Sequence, residues 1–262
     1  MSSNPVSLTF DADVATVTLH STAPRNALNH AAMQALRDIA RQLNEHPSVR
    51  AVVLRGHGRD FTAGVDLAIL EALGEQDLLQ RRHSVRQGPD MCDAWAAIEV
   101  PTIAAIEGPC IGGGLALALS CDFRVLGEAA LLRLPEVPLG MNMSWHSLPR
   151  LTALVGPARA KRIAMGGEAV RAAQAMDWGL ADHVVDNGQA TARAQAWAHE
   201  LAALPPVAVR MTKQTISAIS EALAPLATHM DRDQFLLAAQ SQDLAEGVAA
   251  FKAQRAPQFH GR

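Results

Sequence analysis

The sequence predicts an α/β fold that continues into a C-terminal helical region, and three features carry that expectation. Short apolar runs at 51–54, 102–106 and 123–126 each end in a glycine turn. Helical segments separate them, which implies parallel strands joined by crossovers. From Pro205 onward turn signals thin out and helical pattern takes over.

The elements follow in order. Residues 6–10 and 14–19 alternate apolar and polar side chains around Asp11-Ala12-Asp13, the pattern of a half-buried hairpin. After Pro24-Arg25-Asn26, the stretch 30–44 places Met33, Leu36, Ile39, Ala40 and Leu43 at helical spacing, with Pro47 as a stop. The run 51–54 reads as a buried strand that opens into Arg55-Gly56-His57-Gly58. The run 102–106, then Gly108-Pro109, then Gly112-Gly113-Gly114 and an apolar stretch to Ser120, reads as strand, glycine turn and helix. Three helices are expected at 207–223, 231–240 and 244–251. Their many alanines and few polar caps suit packing on another surface, such as a second subunit. A boundary near Pro205 and Pro206 divides a core, 1–204, from a helical part, 205–262.

Composition narrows the function classes. Of 262 residues, 49% are hydrophobic and 19% charged, enough apolar side chain for a sizeable core. The net charge of −3 comes with dispersed positive residues, so nucleic acid is an unfavoured partner. Cys92, Cys110 and Cys121 lack CxxC or Cys/His ligand spacing, which points to reduced thiols in a cytoplasmic protein and to no metal site. The N-terminal residues lack a secretory pattern, and no apolar stretch approaches a membrane span.

Two glycine-bearing loops are the candidates for chemistry: Phe61-Thr62-Ala63-Gly64-Val65-Asp66 and Gly108-Pro109-Cys110-Ile111-Gly112-Gly113-Gly114. Glycine lets a backbone approach a ligand closely, and a helix starting at such a loop offers unpaired N–H groups. The same glycines also read simply as tight turns. No G-x-G-x-x-G, GxxxxGK[ST] or G-x-S-x-G occurs, which disfavours dinucleotide, phosphate-loop and serine-hydrolase readings. Glu136 follows Pro135 in an apolar run. It reads as a partly buried general acid/base with a raised pKa, or as an ion-pair partner of Arg133 or Arg150.

Taken together, seven segments resemble the crotonase (enoyl-CoA hydratase/isomerase) superfamily in order and spacing. They are Arg25-Asn26-Ala27-Leu28-Asn29, the strand 49–56, the loop 61–67, the stretch 103–122, Leu134-Pro135-Glu136-Val137 with Leu139-Gly140, Trp178-Gly179-Leu180-Ala181 with Val184-Val185, and the ending 251–259. The resemblance covers nearly the whole chain. It implies a spiral of ββα units whose C-terminal helices pack on neighbouring subunits as a homotrimer or homohexamer.

The resemblance also implies an acyl-CoA thioester substrate, with coenzyme A arriving as part of it and no separate cofactor. The thioester oxygen is expected at the N–H groups of Ala63 and Gly113, preorganised donors for an enolate. Coenzyme A is expected against Arg25, Ala27, Ala63, Asp66, Leu67, Gly112 and Gly113. Arg25 reads equally as an ordinary surface charge, and Lys252 is a further phosphate candidate. Glu136 is the expected catalytic carboxylate.

Two departures bear on the reaction. Hydratases of the superfamily carry a second glutamate two residues beyond the glycine triplet, where this chain has Ala116. One carboxylate suffices to move a proton from carbon 2 to carbon 4, so the pattern resembles the Δ3-Δ2 enoyl-CoA isomerases. A hydratase and a non-catalytic acyl-CoA-binding protein are the alternatives. Where the family often has glycines after Leu139-Gly140, this chain reads Met141-Asn142-Met143-Ser144-Trp145-His146-Ser147. Dienoyl isomerases have an aspartate at the position of Ser144, so that reaction is not expected. Pro135, Met141, Ser144, Trp145 and His146, with Ala116, are the expected acyl-pocket residues. His146 reads as a proton relay or as a structural residue.

Overall fold

The computed structural model describes residues 4–21 and 23–262. The expected hairpin is present as β1 (Val6–Asp11) and β2 (Val14–Leu19), paired antiparallel. A short 3-10 turn, Pro24–Asn26, leads to α1 (His30–Glu45), whose first turn is capped by the Asn29 side chain accepting from Ala32 N–H at 2.9 Å. Next come β3 (Ala51–Gly56), α2 (Leu67–Leu73), α3 (Leu78–Ser84) and α4 (Gln87–Ala96). The central segment holds β4 (Thr102–Ile106), β5 (Pro109–Ile111), α5 (Gly113–Leu119), β6 (Phe123–Gly127) and β7 (Leu131–Arg133). A 3-10 turn at Val137–Leu139 precedes α6 (Ser147–Ala164), β8 (Val170–Arg171), α7 (Ala172–Asp177), β9 (His183–Val185) and α8 (Ala190–Ala202). Four helices follow: α9 (Pro206–Ser220), α10 (Ala224–Thr228), α11 (Asp231–Ala238) and α12 (Gln242–Lys252).

The main sheet has the order β1-β2-β3-β4-β6-β9, parallel after the opening hairpin. Successive side chains leave a strand on opposite faces, and here both faces are covered. Val14, Ala51, Val53, Ile103, Ala105 and Val125 meet a stripe of alanines on α8, at 190, 194, 198 and 202. The four-residue spacing keeps those alanines on one side of the helix, and their small size lets α8 lie close to the sheet. The intervening residues, among them Val17, Val52, Leu54, Ala104, Ile106 and Leu126, join the larger core with α1, α4 and α5.

Two features depart from the pattern legible in the sequence. The segment 109–111 is a strand, β5, that pairs with β7 and thereby builds a second sheet, β5-β7-β8, beside the first. The C-terminal helices also do more than append to the core. Phe235 and Leu236 of α11 pack with Leu73 and Met141. The backbone of α12 lies so close to the turn at 139–140 that a Cβ on Gly247 would meet the Leu139 carbonyl oxygen at 2.4 Å, and one on Gly140 would meet the Asp243 oxygen at 2.4 Å. Among the described residues, no helix is long and apolar enough to cross a membrane.

Candidate active site

The loop 61–66 is zipped between two other segments. On one side Leu28 N–H donates to the Gly64 carbonyl at 2.7 Å, Asp66 N–H to the Leu28 carbonyl at 3.1 Å, and Ala63 N–H to the Arg25 carbonyl at 3.0 Å. On the other, Thr62 N–H donates to the Pro109 carbonyl and Ile111 N–H to the Thr62 carbonyl. The buried Thr62 hydroxyl donates to the Asn26 carbonyl at 2.7 Å and accepts from Gly64 N–H at 3.1 Å. Asn26, at φ +55°, ties the first segment to the loop through its amide, which donates to the His57 and Asp60 carbonyls.

This network decides which N–H groups are available. Ala63 N–H is consumed by Arg25, and Ala63 does not line the central cavity, so the expectation that it holds the thioester oxygen does not fit the geometry. Val65 fits instead. In the bridge to Leu28, the Gly64 carbonyl and the Asp66 N–H point one way, and strand geometry turns the Val65 N–H the other way. Among the described residues it has no hydrogen-bond partner, and Val65 lines the cavity. Gly113, the first residue of α5, also lines it, and a first-turn N–H has no acceptor within its helix. The two loops are in close register: a Cβ on Gly64, which has φ +90°, would sit 3.7 Å from the Gly113 nitrogen.

Glu136 faces the same cavity. Its carbonyl accepts from Leu139 and Met141 N–H at 3.0 Å, which fixes the turn that carries it. Its side chain lies against Gly112, where a Cβ would come within 2.7 Å of Oε1. Oε2 is sealed from solvent and has no partner among the described residues. Burial pushes the carboxyl up from 4.5 to about 7, opposed by its own backbone N–H and by the nearby Arg133 charge. The ion-pair alternative finds no support, because Arg133 Nε donates to the Gly167 carbonyl and Arg150 pairs with Glu221 and Asp93.

A raised carboxyl carries a stability signature whose sign is fixed by linkage. The folded value lies above that of the unfolded chain, so stability from this group is fully present below pH 4.5 and is lost as pH rises through about 7. At 1.36 kcal/mol per pKa, Glu136→Gln should gain on the order of 3 kcal/mol over the parent well above pH 7 and little below pH 4.5. Thermal melts of both proteins from pH 4.5 to 8 test this. A melting-temperature gap that stays constant across the range would contradict it.

The remaining expected residues divide. Met141, Ser144 and Trp145 line the cavity. Pro135, Gly112, Ala116 and His146 do not, and Ala116 is fully enclosed in the core. His146 instead turns its Nδ1 to Asp93 at 2.9 Å and its backbone N–H to Asp231 at 3.2 Å. The Asp93 hydrogen bond is the main cause of its raised pKa. Arg25 pairs with Asp60 at 3.0 Å. Asp66 accepts from Ala68 N–H and caps α2, which begins at Leu67. Ala27 is buried beside the Pro24–Asn26 turn, and Lys252 pairs with Glu71.

Sequence reasoning missed four cavity residues of consequence: Val65, Gly88, Asn142 and Phe235. Gly88 is the informative one, since a Cβ there would meet three indole atoms of Trp145 at 2.1–2.5 Å. The ring cannot stay where it is in Gly88→Ala. That substitution should lower stability by about 1–3 kcal/mol, as overpacking does, and shift the Trp fluorescence. Denaturant titration measures both.

Comparison with known proteins places this geometry. The family model described as enoyl-CoA hydratase/isomerase matches residues 9–262. The chain belongs to the enoyl-CoA hydratase/isomerase family. Within it, the chain is 33% identical over 246 residues to the 2,3-dehydroadipyl-CoA hydratase of Escherichia coli, covering 94% of each. It is 32% identical to a probable enoyl-CoA hydratase of Bacillus subtilis, covering 98% of this chain and 99% of that one. The crystal structure of an enoyl-CoA hydratase from Mycobacterium avium subsp. paratuberculosis superposes with a TM-score of 0.87 at 26% identity, covering 98% of both chains. The chain is thus an enzyme of the crotonase type, as the resemblance of its seven segments implied.

Proposed function

We propose that the protein isomerises the double bond of a 3-enoyl-CoA to the 2-enoyl-CoA through an enolate held by Val65 and Gly113 N–H. The observation that carries this reading is that Glu136 is the single ionisable side chain among the described residues lining the cavity. Removing a proton from carbon 2 drives negative charge onto the thioester oxygen, where two unpaired backbone donors stabilise it without reorganising. With a pKa of about 7, Glu136 is matched to both taking and returning a proton near neutral pH. One carboxylate that spans carbons 2 and 4 completes the shift.

Hydration is the second reading, favoured by Asn142. Its buried Oδ1 has no partner among the described residues and borders the same cavity, so it suits orientation of an attacking water. Both relatives named above carry hydratase names. The two readings separate in D₂O: isomerisation converts 3-enoyl-CoA with partial retention of the migrating proton. Faster formation of 3-hydroxyacyl-CoA from the 2-enoyl thioester would replace isomerisation with hydration.

Coenzyme A is taken to run along Arg25, Ala27, Asp66 and Leu67 toward the cavity, with Arg25 exchanging Asp60 for a phosphate. No resident cofactor enters this scheme. The helices of 205–262 leave Val207, Met211, Ile216, Ile219, Leu223 and Leu226 exposed, apolar surface that a homotrimer or homohexamer would cover.

A further inference from the structure

The cavity below the two N–H groups is small. Its volume is about 80 Å³, whereas an engineered cavity that holds one benzene measures about 150 Å³. We propose that Trp145 is a size gauge that restricts this enzyme to short aliphatic acyl groups, and that His146 is the residue that holds the gauge in place. This deepens the functional reading above, because it names the acyl class for the same site.

Three observations converge on Trp145. Its indole is wedged between two backbones: a Cβ on Gly113 would meet the ring at 2.3 Å, and one on Gly88 would meet it at 2.1 Å. Gly113 is an enolate donor in the proposed reaction, so the ring lies directly beside the position of the thioester carbonyl. An acyl group that extends from Gly113 toward Gly88 must pass this ring. Second, Trp145 and His146 are consecutive residues with positive φ, +67° and +56°. Bulky residues adopt that region only when their surroundings impose it. Third, the restraint is visible. His146 N–H donates to the Asp231 carboxylate of α11, and its ring binds Asp93 of α4. Arg150 braces the same corner, contacting Asp93 and the His146 carbonyl, and is itself anchored by Glu221. The backbone that aims the indole is thereby pinned from two helices distant in sequence. His146 is not itself a lining residue of the cavity, so it is a positioning residue.

A rival boundary exists on the opposite wall. Leu70 and Leu73 of α2 separate the cavity from a groove of about 460 Å³ between α2 and the last two helices. Were the acyl chain to extend that way, Trp145 would not set its length.

The test is a series of 3-enoyl and 2-enoyl thioesters with four, six, eight and ten acyl carbons plus a phenyl-bearing member. Both isomerisation and hydration are assayed, and kcat/KM is compared among the parent, Trp145→Ala, Trp145→Leu, His146→Ala and Leu73→Ala. Binding of the matching saturated acyl-CoAs is measured by calorimetry, so the size limit is read even if the reaction class is misassigned. The parent should favour four to six carbons. Trp145→Ala and the milder Trp145→Leu should raise the ten-carbon to four-carbon ratio at least about tenfold, the scale at which pockets discriminate a methylene or more. His146→Ala should broaden the range in the same direction, mainly through KM, with kcat for the four-carbon substrate nearly retained. A parent that prefers ten carbons or a phenyl group, a ratio unchanged in both Trp145 variants, or a shift confined to Leu73→Ala would each overturn the gauge. Absence of acyl-CoA binding altogether would overturn both the gauge and the functional reading.

Discussion

Glu136→Gln is expected to lower kcat by about 10²-fold to 10⁴-fold, the range typical of general acid/base groups. The upper end is expected because no second ionisable side chain among the described cavity residues stands ready to replace it. The glutamine keeps the shape of the glutamate, so the turn fixed by Leu139 and Met141 N–H should survive and acyl-CoA affinity should change little. The parent should also show a characteristic pH dependence. Proton abstraction requires the ionised form, so kcat/KM should rise with pH through about 7 and flatten above it. A profile already flat at pH 5.5 would mean that Glu136 is not the base, or that its carboxylate is wetter than its sealed Oε2 implies. Single-turnover kinetics with a 3-enoyl-CoA separates the chemical step from product release.

The second large effect concerns a backbone atom. Val65→Pro deletes the one N–H that leaves the Leu28 bridge facing the cavity, while the Gly64 carbonyl and Asp66 N–H that form the bridge are kept. Loss of an oxyanion donor costs about 10²-fold to 10³-fold in kcat, and that is the expected result, with circular dichroism unchanged. The preceding Gly64, at φ +90°, has the freedom to accept a proline neighbour. Retention of full activity in Val65→Pro would remove Val65 from the reaction. Loss of folding is distinguishable by its melt, and Val65→Ala, which keeps the N–H, should remain active.

Much of this was legible from the sequence, and the limits have physical causes. The strands at 51–54, 102–106 and 123–126 announced themselves because a sheet covered on both faces needs continuous apolar runs. That Gly113 and Glu136 would face one cavity was legible through their family motifs. Ala63 was the wrong choice because the direction of an N–H depends on pairing register, and that register is set by Leu28, some 35 residues earlier, which no local pattern reveals. The role of His146 was hidden for a similar reason: its partners Asp93 and Asp231 lie 53 and 85 residues away. Trp145 at positive φ runs against its intrinsic preference, so only the packed environment discloses it. The 109–111 strand was masked by Gly108-Pro109, which reads as a turn until a second sheet is there to receive it.

The contact between α12 and the turn at 139–140 places the turn that carries Glu136 under the control of residues made about a hundred positions later. Gly247 against Leu139, and Gly140 against Asp243, are backbone touching backbone, and Phe235 closes the chamber from α11. During translation, then, the earlier part of the polypeptide emerges before Phe235, which lines the chamber, and before the helix that backs the 139–140 turn. A ribosome stalled before Asp231 would hold a nascent chain with the sequence of every strand and both glycine loops but without the last two helices that complete the chamber and its flank.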